Sequence, residues 1–308
     1  MISLRYHVVS MAAVFLALAV GVLLGTGGVS ERLLSAVSTE RDDLSGEVAR
    51  LSAERADLAA QQRAADEFAT RVGPATVRGL LPGQTVALVL AGADAQDRDA
   101  VTGLIQQAGA TVTGRLELTD AIGDPARADQ LRELTSQLLP AGAQLPAASD
   151  TGSLVGGLLG GVLVAKDGKA QISGDDAASV LTGLTDAGFV RPGDAPAAAN
   201  LVLVLTGGSL PGADAPDAAA VYARLAAQLD RSGAGAVLAG RSGSADATGA
   251  VGVARADPQV VAGLSTIDNV QAGSGRVAAV LALREQTDGR AGRYGTGAGA
   301  ADGAAPAA

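Results

Sequence analysis

From Val8 to Ser30 the chain carries no charged residue for 23 positions, and a helix of about 20 mostly apolar residues is enough to cross the hydrocarbon core of a bilayer. Arg5 and the amino terminus precede this run, whereas Glu31 and a carboxylate-rich chain follow it. The excess of positive charge in front places the N-terminus in the cytoplasm and everything beyond Ser30 outside. A cleaved signal peptide is the competing reading, because Ala17, Leu18 and Ala19 fit the small-residue cleavage pattern. The apolar run continues past that point through Val20, Val22, Leu23 and Leu24, which favours a cytoplasmic stub and retained anchor over residues 1–30. Export follows from either reading.

Beyond the anchor, "SERLLSAVSTERDDLSGEVARLSAERADLAAQQRAADEFATRV" places Val37, Leu44, Leu51, Leu58, Ala65 and Val72 at intervals of seven, with Leu34, Val48 and Ala69 three residues before members of that series. The pattern predicts a coiled-coil helix over residues 31–72, its regular series at d and a seam formed by Val37, Leu44, Val48, Leu51, Leu58 and Ala65. Arg41, Arg55 and Gln62 occupy other a positions and weaken it, while Glu47, Arg50, Glu54 and Asp57 lie on the flanks where charges select a partner. A single amphipathic helix folded back on the next domain is the alternative. A parallel homodimer or higher homo-oligomer fits better, since an anchor already aligns copies in the membrane. At 1.5 Å per residue such a helix holds the next domain roughly 60 Å from the bilayer.

Gly and Pro punctuation in "VGPATVRGLLPGQ", residues 72–84, closes that helix and opens an extracytoplasmic α/β domain over residues 73–286. Apolar runs at 85–92, 111–118, 201–208, 234–240 and 276–285 read as strands, and 96–110, 125–140, 175–189 and 217–233 as helices. Alternation of the two, with strands apolar throughout, indicates a largely parallel sheet covered on both faces. The uncharged stretch "TGSLVGGLLGGVLVA", residues 151–165, is short for a second span and reads as a buried helix. The Gly- and Ala-rich residues 287–308 read as a flexible tail.

The chain has 308 residues and no cysteine, so the exported part stands on packing without disulfides. Its six aromatic residues, Tyr6, Phe15, Phe68, Phe189, Tyr222 and Tyr294, leave Val, Leu and Ala to build the core. After residue 30 there are 32 acidic against 22 basic residues, a net charge of −10, which repels phosphate backbones and argues against nucleic acid as a partner.

Catalytic chemistry is scarce. The only histidine, His7, sits at the cytoplasmic end of the anchor, so a Ser, His and Asp set cannot assemble outside, and "AGRSGS" around Ser242 has Ser244 where a nucleophile elbow needs its second Gly. "LTGGSLPG" (205–212) follows a strand without a dinucleotide fingerprint or a Gly-Lys-Ser/Thr sequence. "GRYGTGAG" (292–299) looks like a phosphate cradle by composition alone. Cu(I) favours thiolate or thioether ligands and Cu(II) and zinc accept imidazole, yet the exported part has no Cys, Met or His. Asp94, Asp97 and Asp99, or Asp175 and Asp176, could attract hard cations but read better as helix starts. The metal ligands are therefore unassigned, and neither a catalytic set nor a cofactor-binding set is expected.

Taken together, "MISLRYHVVSMAAVFLALAVGVLLG", the heptads after it, "LLPAGAQL" (138–145), "VLAGRSGSA" (237–245), "STIDNVQAGSGRVAAVLAL" (265–283) and "GRYGTGAGA" (292–300) resemble the actinobacterial copper transporter family typified by MctB. The resemblance runs over nearly the whole chain. It implies copper efflux and homeostasis at the cell envelope, with copper as the transported ion and a pore formed by oligomers, possible association with the outer envelope included. The chain also resembles the corynebacterial SteB-type envelope proteins, which implies instead a scaffold that docks and regulates a cell-wall hydrolase during cell separation. Neither resemblance brings a catalytic residue, and the expectation is a protein that is not an enzyme.

Overall fold

The computed structural model describes residues 4–26, 29–193, 196–233 and 235–307, and the chain divides into two compact units, Met1–Ala64 and Ala65–Ala308. Of the segments read from sequence, Met1–Ser3, Gly27, Gly28, Ala234 and Ala308 lie outside the described residues, as does the side chain of Leu34.

In the first unit, α1 (Leu4–Thr26) covers the uncharged run. Within it, Arg5–Leu23 has the length and hydropathy of a membrane span, with no part of it buried inside the chain. The next helix, α2 (Val29–Val77), begins in this unit and ends in the second. Its heptad residues Val37, Leu44, Val48, Leu51 and Leu58 are 45–62% exposed, and Ala65 is exposed as well. The flanking charges pair along the helix: Arg50 donates to Glu47 at 2.9 Å through Nε and to Glu54 at 3.3 Å through Nη1.

The helix does not stop at residue 72. It runs through Pro74 to Val77, because its last turns pack on the second unit: Val77 is fully buried and Gly73 lies so close to α10 (Gly273–Gln286) that a Cβ there would meet Val277 Cγ2 at 2.7 Å. Tertiary burial outweighs the helix-breaking tendency of the Gly-Pro pair. Asp66 of the same turns accepts a hydrogen bond from the backbone N–H of Gly273. It supplies the N-terminus of α10 with the capping oxygen that its own Ala272 lacks.

The second unit is the expected α/β domain. Its sheet contains β1 (Thr85–Ala91), β2 (Thr111–Leu118), β5 (Leu201–Thr206), β6 (Ala236–Ala239), β7 (Ser265–Ile267) and β8 (Arg293–Tyr294). They lie in the order β2-β1-β5-β6-β7-β8, every pair parallel. A short antiparallel pair, β3 (Ala165–Lys166) and β4 (Lys169–Ala170), stands apart. The central strands β1, β5 and β6 are apolar along nearly their whole length because alternate residues enter two different cores. Leu201, Leu203 and Leu205 join Val101 and Ile105 of α3 (Ala95–Gln107) and Leu283 of α10. Val202 and Val204 join the helices of the other face, α4 (Ala128–Gln137), α5 (Thr151–Leu163), α6 (Gly174–Asp186), α7 (Ala215–Arg231), α8 (Ala250–Ala256) and α9 (Pro258–Val261).

The uncharged stretch at 151–165 is indeed a buried helix. Gly152, Gly156 and Gly160 recur every fourth residue of α5 and seat it directly on α7. A Cβ at Gly156 would stand 2.8 Å from Gln228 Cβ and 2.9 Å from the carbonyl oxygen of Leu225. Gly156→Val is therefore expected to destabilise the domain by about 1–3 kcal/mol through overpacking, read from chemical denaturation, whereas the same change at Gly174, which has nothing within 4 Å, should cost under about 1 kcal/mol.

Two expectations are corrected. The run at 276–285 is not a strand but the body of helix α10, since an apolar run of that length suits a buried strand and a buried helix equally. The edge strands come from segments that read as loop and tail, Ser265–Ile267 and Arg293–Tyr294. Residues 287–307 are accordingly not a loose tail. Tyr294 is 5% exposed and donates its hydroxyl proton to Glu285 at 2.7 Å; burial, and after it this bond to the carboxylate, raises the phenol pKa well above its ordinary value. Gly295 N–H donates to the carbonyl of Gly303 at 3.0 Å, and the Asp302 carboxylate accepts from the backbone N–H of Arg293 at 2.8 Å.

That last bond, reinforced by the Arg293 side chain, holds the Asp302 carboxyl below its ordinary pKa. A depressed folded pKa gives stability that is complete above the unfolded value and lost as the pH falls through the folded one. The fold of residues 293–303 should thus loosen as the pH falls below about 4, by under about 1 kcal/mol given the exposure of the pair. Hydrogen exchange at these amides, corrected for intrinsic rates, checks it. Asp302→Asn should loosen the segment at neutral pH and abolish this pH dependence.

Candidate functional site

In an open parallel sheet, ligands bind outside the carboxyl ends of the strands at the point where the winding reverses. Here that point lies between β1 and β5: the chain leaves β1 through α3 on one face and β5 through α7 on the other. The loops after β1, β5, β6 and β7 bring together Asp94, Ser209, Arg241, Ser242, Asp246 and Gln271, with Asp97 from the first turn of α3 and Arg276 from α10 beside them.

Asp94 caps α3, accepting from Gln96 N at 2.8 Å. Asp97, 3% exposed, accepts from Arg276 Nη2 at 2.9 Å. Its second oxygen lies 3.1 Å from Arg241 Nε but off the donor's axis, so it is ion-paired without a directed hydrogen bond. Arg241 also reaches Asp94 at 3.4 Å, and Arg276 binds the carbonyls of Val270 and Gln271 at 3.1 and 2.9 Å. The two arginines and two aspartates balance in charge and are spent on one another.

The loops close over the remaining space. Arg241 N–H donates to the carbonyl of Gly207 at 3.2 Å, Leu210 N–H to that of Thr248 at 3.0 Å, and Ser242 N–H to Gln271 Oε1 at 2.9 Å. A Cβ at Gly208 would lie 2.7 Å from the Ser242 carbonyl oxygen. The "LTGGSLPG" segment is thus a packed strand-to-loop turn. Of the two serines in "AGRSGS", Ser242 is exposed and Ser244 is fully buried with its hydroxyl unpartnered; the only histidine, His7, is on α1.

The cradle suggested by "GRYGTGAG" exists, and the protein fills it. Thr296 N–H and Gly297 N–H point at Asp268, at 2.8 and 3.0 Å from its two oxygens. Arg255 of α8 clamps the same carboxylate at 2.6 Å and donates to the carbonyls of Tyr294 and Ala298 at 2.7 and 2.9 Å. Gly295 adopts φ +135°, and a side chain there would collide with Asp268. The loop has the geometry of an anion nest with a side-chain carboxylate of its own chain as the anion.

The acidic groups considered as hard-cation ligands are distributed in the same way. Arg98 holds the Asp99 carboxyl below its ordinary pKa at 2.8 Å. Ser173 and Asp176 form a reciprocal cap at the start of α6, with Asp175 beside them in the first turn. Among the described residues no three His, Cys, Asp or Glu side chains converge as a metal ligand set. A cavity of about 620 Å³ along β2 is lined by Arg98, Arg115 and Arg191 together with Asp99 and Glu117, and Arg191 is paired with Glu117 at 2.8 Å.

Sequence reading found none of these ion pairs as pairs. Asp97 and Arg276 are 179 residues apart, and no local spacing signals such a contact. The coiled-coil candidates Val37, Leu44, Val48, Leu51, Leu58 and Ala65 all lie on α2 with exposed side chains.

Comparison with known proteins gives one consistent result. The family model described as "Copper transport outer membrane protein, MctB" matches residues 1–305. The protein named copper transporter MctB of Mycobacterium tuberculosis (strain ATCC 25618 / H37Rv) is 42% identical over 309 residues, covering 97% of this chain and 98% of that one. Its namesake in Mycobacterium leprae (strain TN) is 42% identical over 312 residues with the same coverage.

Proposed function

This chain belongs to the MctB family of copper transport proteins, and from that membership we propose that it is a membrane-anchored envelope protein acting in copper efflux and homeostasis. The family match over residues 1–305 carries the reading. α1 serves as a single-pass anchor with the N-terminus cytoplasmic, in keeping with Arg5 before the run and the acidic chain after it. The α/β head then lies outside the cell membrane, with an outer-envelope association as the family description suggests. Copies pair through the heptad stripe of α2 as a homodimer, the unit from which a larger pore-forming assembly is built. The head is not an enzyme and holds no cofactor. Copper is cargo.

A second reading rests on a different observation, the row of exposed heptad residues on α2. Such a stripe would also suit a scaffold that docks a cell-wall hydrolase and governs cell separation. One experiment separates the two: total cell copper across graded external copper in a strain lacking this gene and in the same strain with the gene restored, with the cultures imaged for unseparated cells. Copper accumulation reversed by the intact gene is the expected result. Unchanged copper with chained cells would overturn the transport reading in favour of the scaffold.

A further inference from the structure

The soft donors of this chain are few and not scattered. There is no cysteine, one histidine and, besides Met1, one methionine. That histidine and methionine, His7 and Met11, are four residues apart on α1, both side chains exposed, Met11 by 62%. Residues at i and i+4 of a helix are neighbours one turn apart, with Cβ atoms about 5–6 Å from each other. A thioether and an imidazole are the donors that suit copper, the thioether selecting Cu(I).

The same face of α1 continues through Val14, Leu18, Gly21 and Gly25. At 100° per residue these six positions fall within about 40° of one line, and their alternating steps of four and three follow a helix-pairing seam. Gly21 and Gly25 repeat the small-xxx-small spacing that lets helices in a membrane approach closely, and a Cβ on either would meet nothing within 4 Å.

One copy supplies two donors from the same side of one helix, which leaves the far side of the ion open. Two copies meeting on this face supply two imidazoles and two thioethers at one level of the membrane. We infer that α1 forms a Cu(I) site shared between two copies of this chain, with His7 and Met11 of each copy as its ligands. The inference rests on the copper and homodimer readings above and names the place where cargo is first held. Four neutral donors replace the hydration of a singly charged ion, and no electron is transferred because copper arrives already reduced. The pair sits just inside the cytoplasmic end of the span, two residues beyond Arg5, where an efflux component has to meet its cargo.

The test is titration of the full-length protein in lipid nanodiscs with Cu(I), under reducing conditions, against a chromogenic Cu(I) chelator. One Cu(I) per two chains is expected, displaced by Ag(I) and not by Zn(II). His7→Ala and the volume-conserving Met11→Leu should each weaken binding by at least about 100-fold, the upper end of what even outer-shell metal-site changes cost. Gly21→Leu with Gly25→Leu, which leaves every donor in place, should weaken it as well while α2 keeps the copies paired. An absence of Cu(I) binding by the unaltered protein, one ion per single chain, or unchanged affinity in both donor variants would overturn the site. A site that fails while cell copper still rises in the deletion strain removes this inference and leaves the transport reading intact. Binding without any copper phenotype removes the transport reading and leaves the site.

Discussion

Replacing Arg255 with Met is expected to lower the unfolding free energy of the head by about 3–5 kcal/mol, the cost of breaking one side of a buried ion pair. The Arg255 and Asp268 side chains are 4% and 2% exposed. Asp268 accepts from Arg255 Nη1, Thr296 N and Gly297 N, so without the guanidinium its charge remains in a site with almost no water. The loss also reaches the final segment, because Arg255 ties the carbonyls of Tyr294 and Ala298 to α8. For a unit of this size the midpoint of thermal unfolding should fall by roughly 6–20 °C, and the amides of Thr296 and Gly297 should lose protection from hydrogen exchange. Removing the stranded charge as well, in Arg255→Met with Asp268→Leu, should return part of the lost stability, since a buried pair exchanged whole for apolar groups is often close to neutral. A single variant with a midpoint within 2 °C of the parent, about 1 kcal/mol or less, would show that the pair is solvated.

Leu44→Asp together with Leu51→Asp is expected to convert the proposed dimer into a monomer. In the single chain these side chains are 60% and 45% exposed, so the substitutions remove nothing from the chain's own packing and should leave head stability unchanged. In a pair of chains they withdraw four leucines from the seam, each giving about 1.5–3 kcal/mol on burial. The combined loss exceeds about 6 kcal/mol, a factor of more than 10⁴ in the association constant. Mass measured by light scattering on the full chain in detergent, with the detergent contribution subtracted, should fall to that of one 30.1 kDa chain. A variant that keeps the parental mass would place the interface elsewhere, and α1 would be the first surface to examine. The same variant tests function: copper accumulation as in the deletion strain would show that pairing through α2 is required, whereas normal copper handling with chained cells would favour the scaffold.

Little of the charged cluster was visible in the sequence, and the reason is physical. Asp97 looks like any acidic residue in the first turn of a helix, a position where carboxylates are common for local reasons. Its burial under Arg241 and Arg276 comes from the order of the strands, which sequence periodicity does not encode. Asp268 follows a strand of only three residues that contains two polar side chains, too short to register as a strand. The glycine-rich loop at 292–299 did announce an anion nest by its composition. What it could not announce was the occupant, because Asp268 reaches it across the sheet from 28 residues earlier.

By itself the sequence determined the properties that depend on local pattern: an uncharged run long enough to span a bilayer, a stripe of apolar residues at sevens, and alternating apolar strands and helices that allow only a sheet covered on both faces. It also determined the family, through motifs spread over the whole chain. The tertiary structure alone decided the rest. It made the run at 276–285 a helix, because a short apolar stretch satisfies either conformation until its neighbours fix one. It carried α2 past Gly73 and Pro74, because burying Val77 and capping α10 with Asp66 outweigh a local preference. It turned a Gly- and Ala-rich tail into the last strand of the sheet, because Arg293 and Tyr294 pair with β7 and the amides of Thr296 and Gly297 reach Asp268, 28 and 29 residues earlier, while Tyr294 and Asp302 bind Glu285 and Arg293, nine residues away. A residue's pattern declares which surfaces it can bury, while the partner it buries them against is fixed only when distant segments meet.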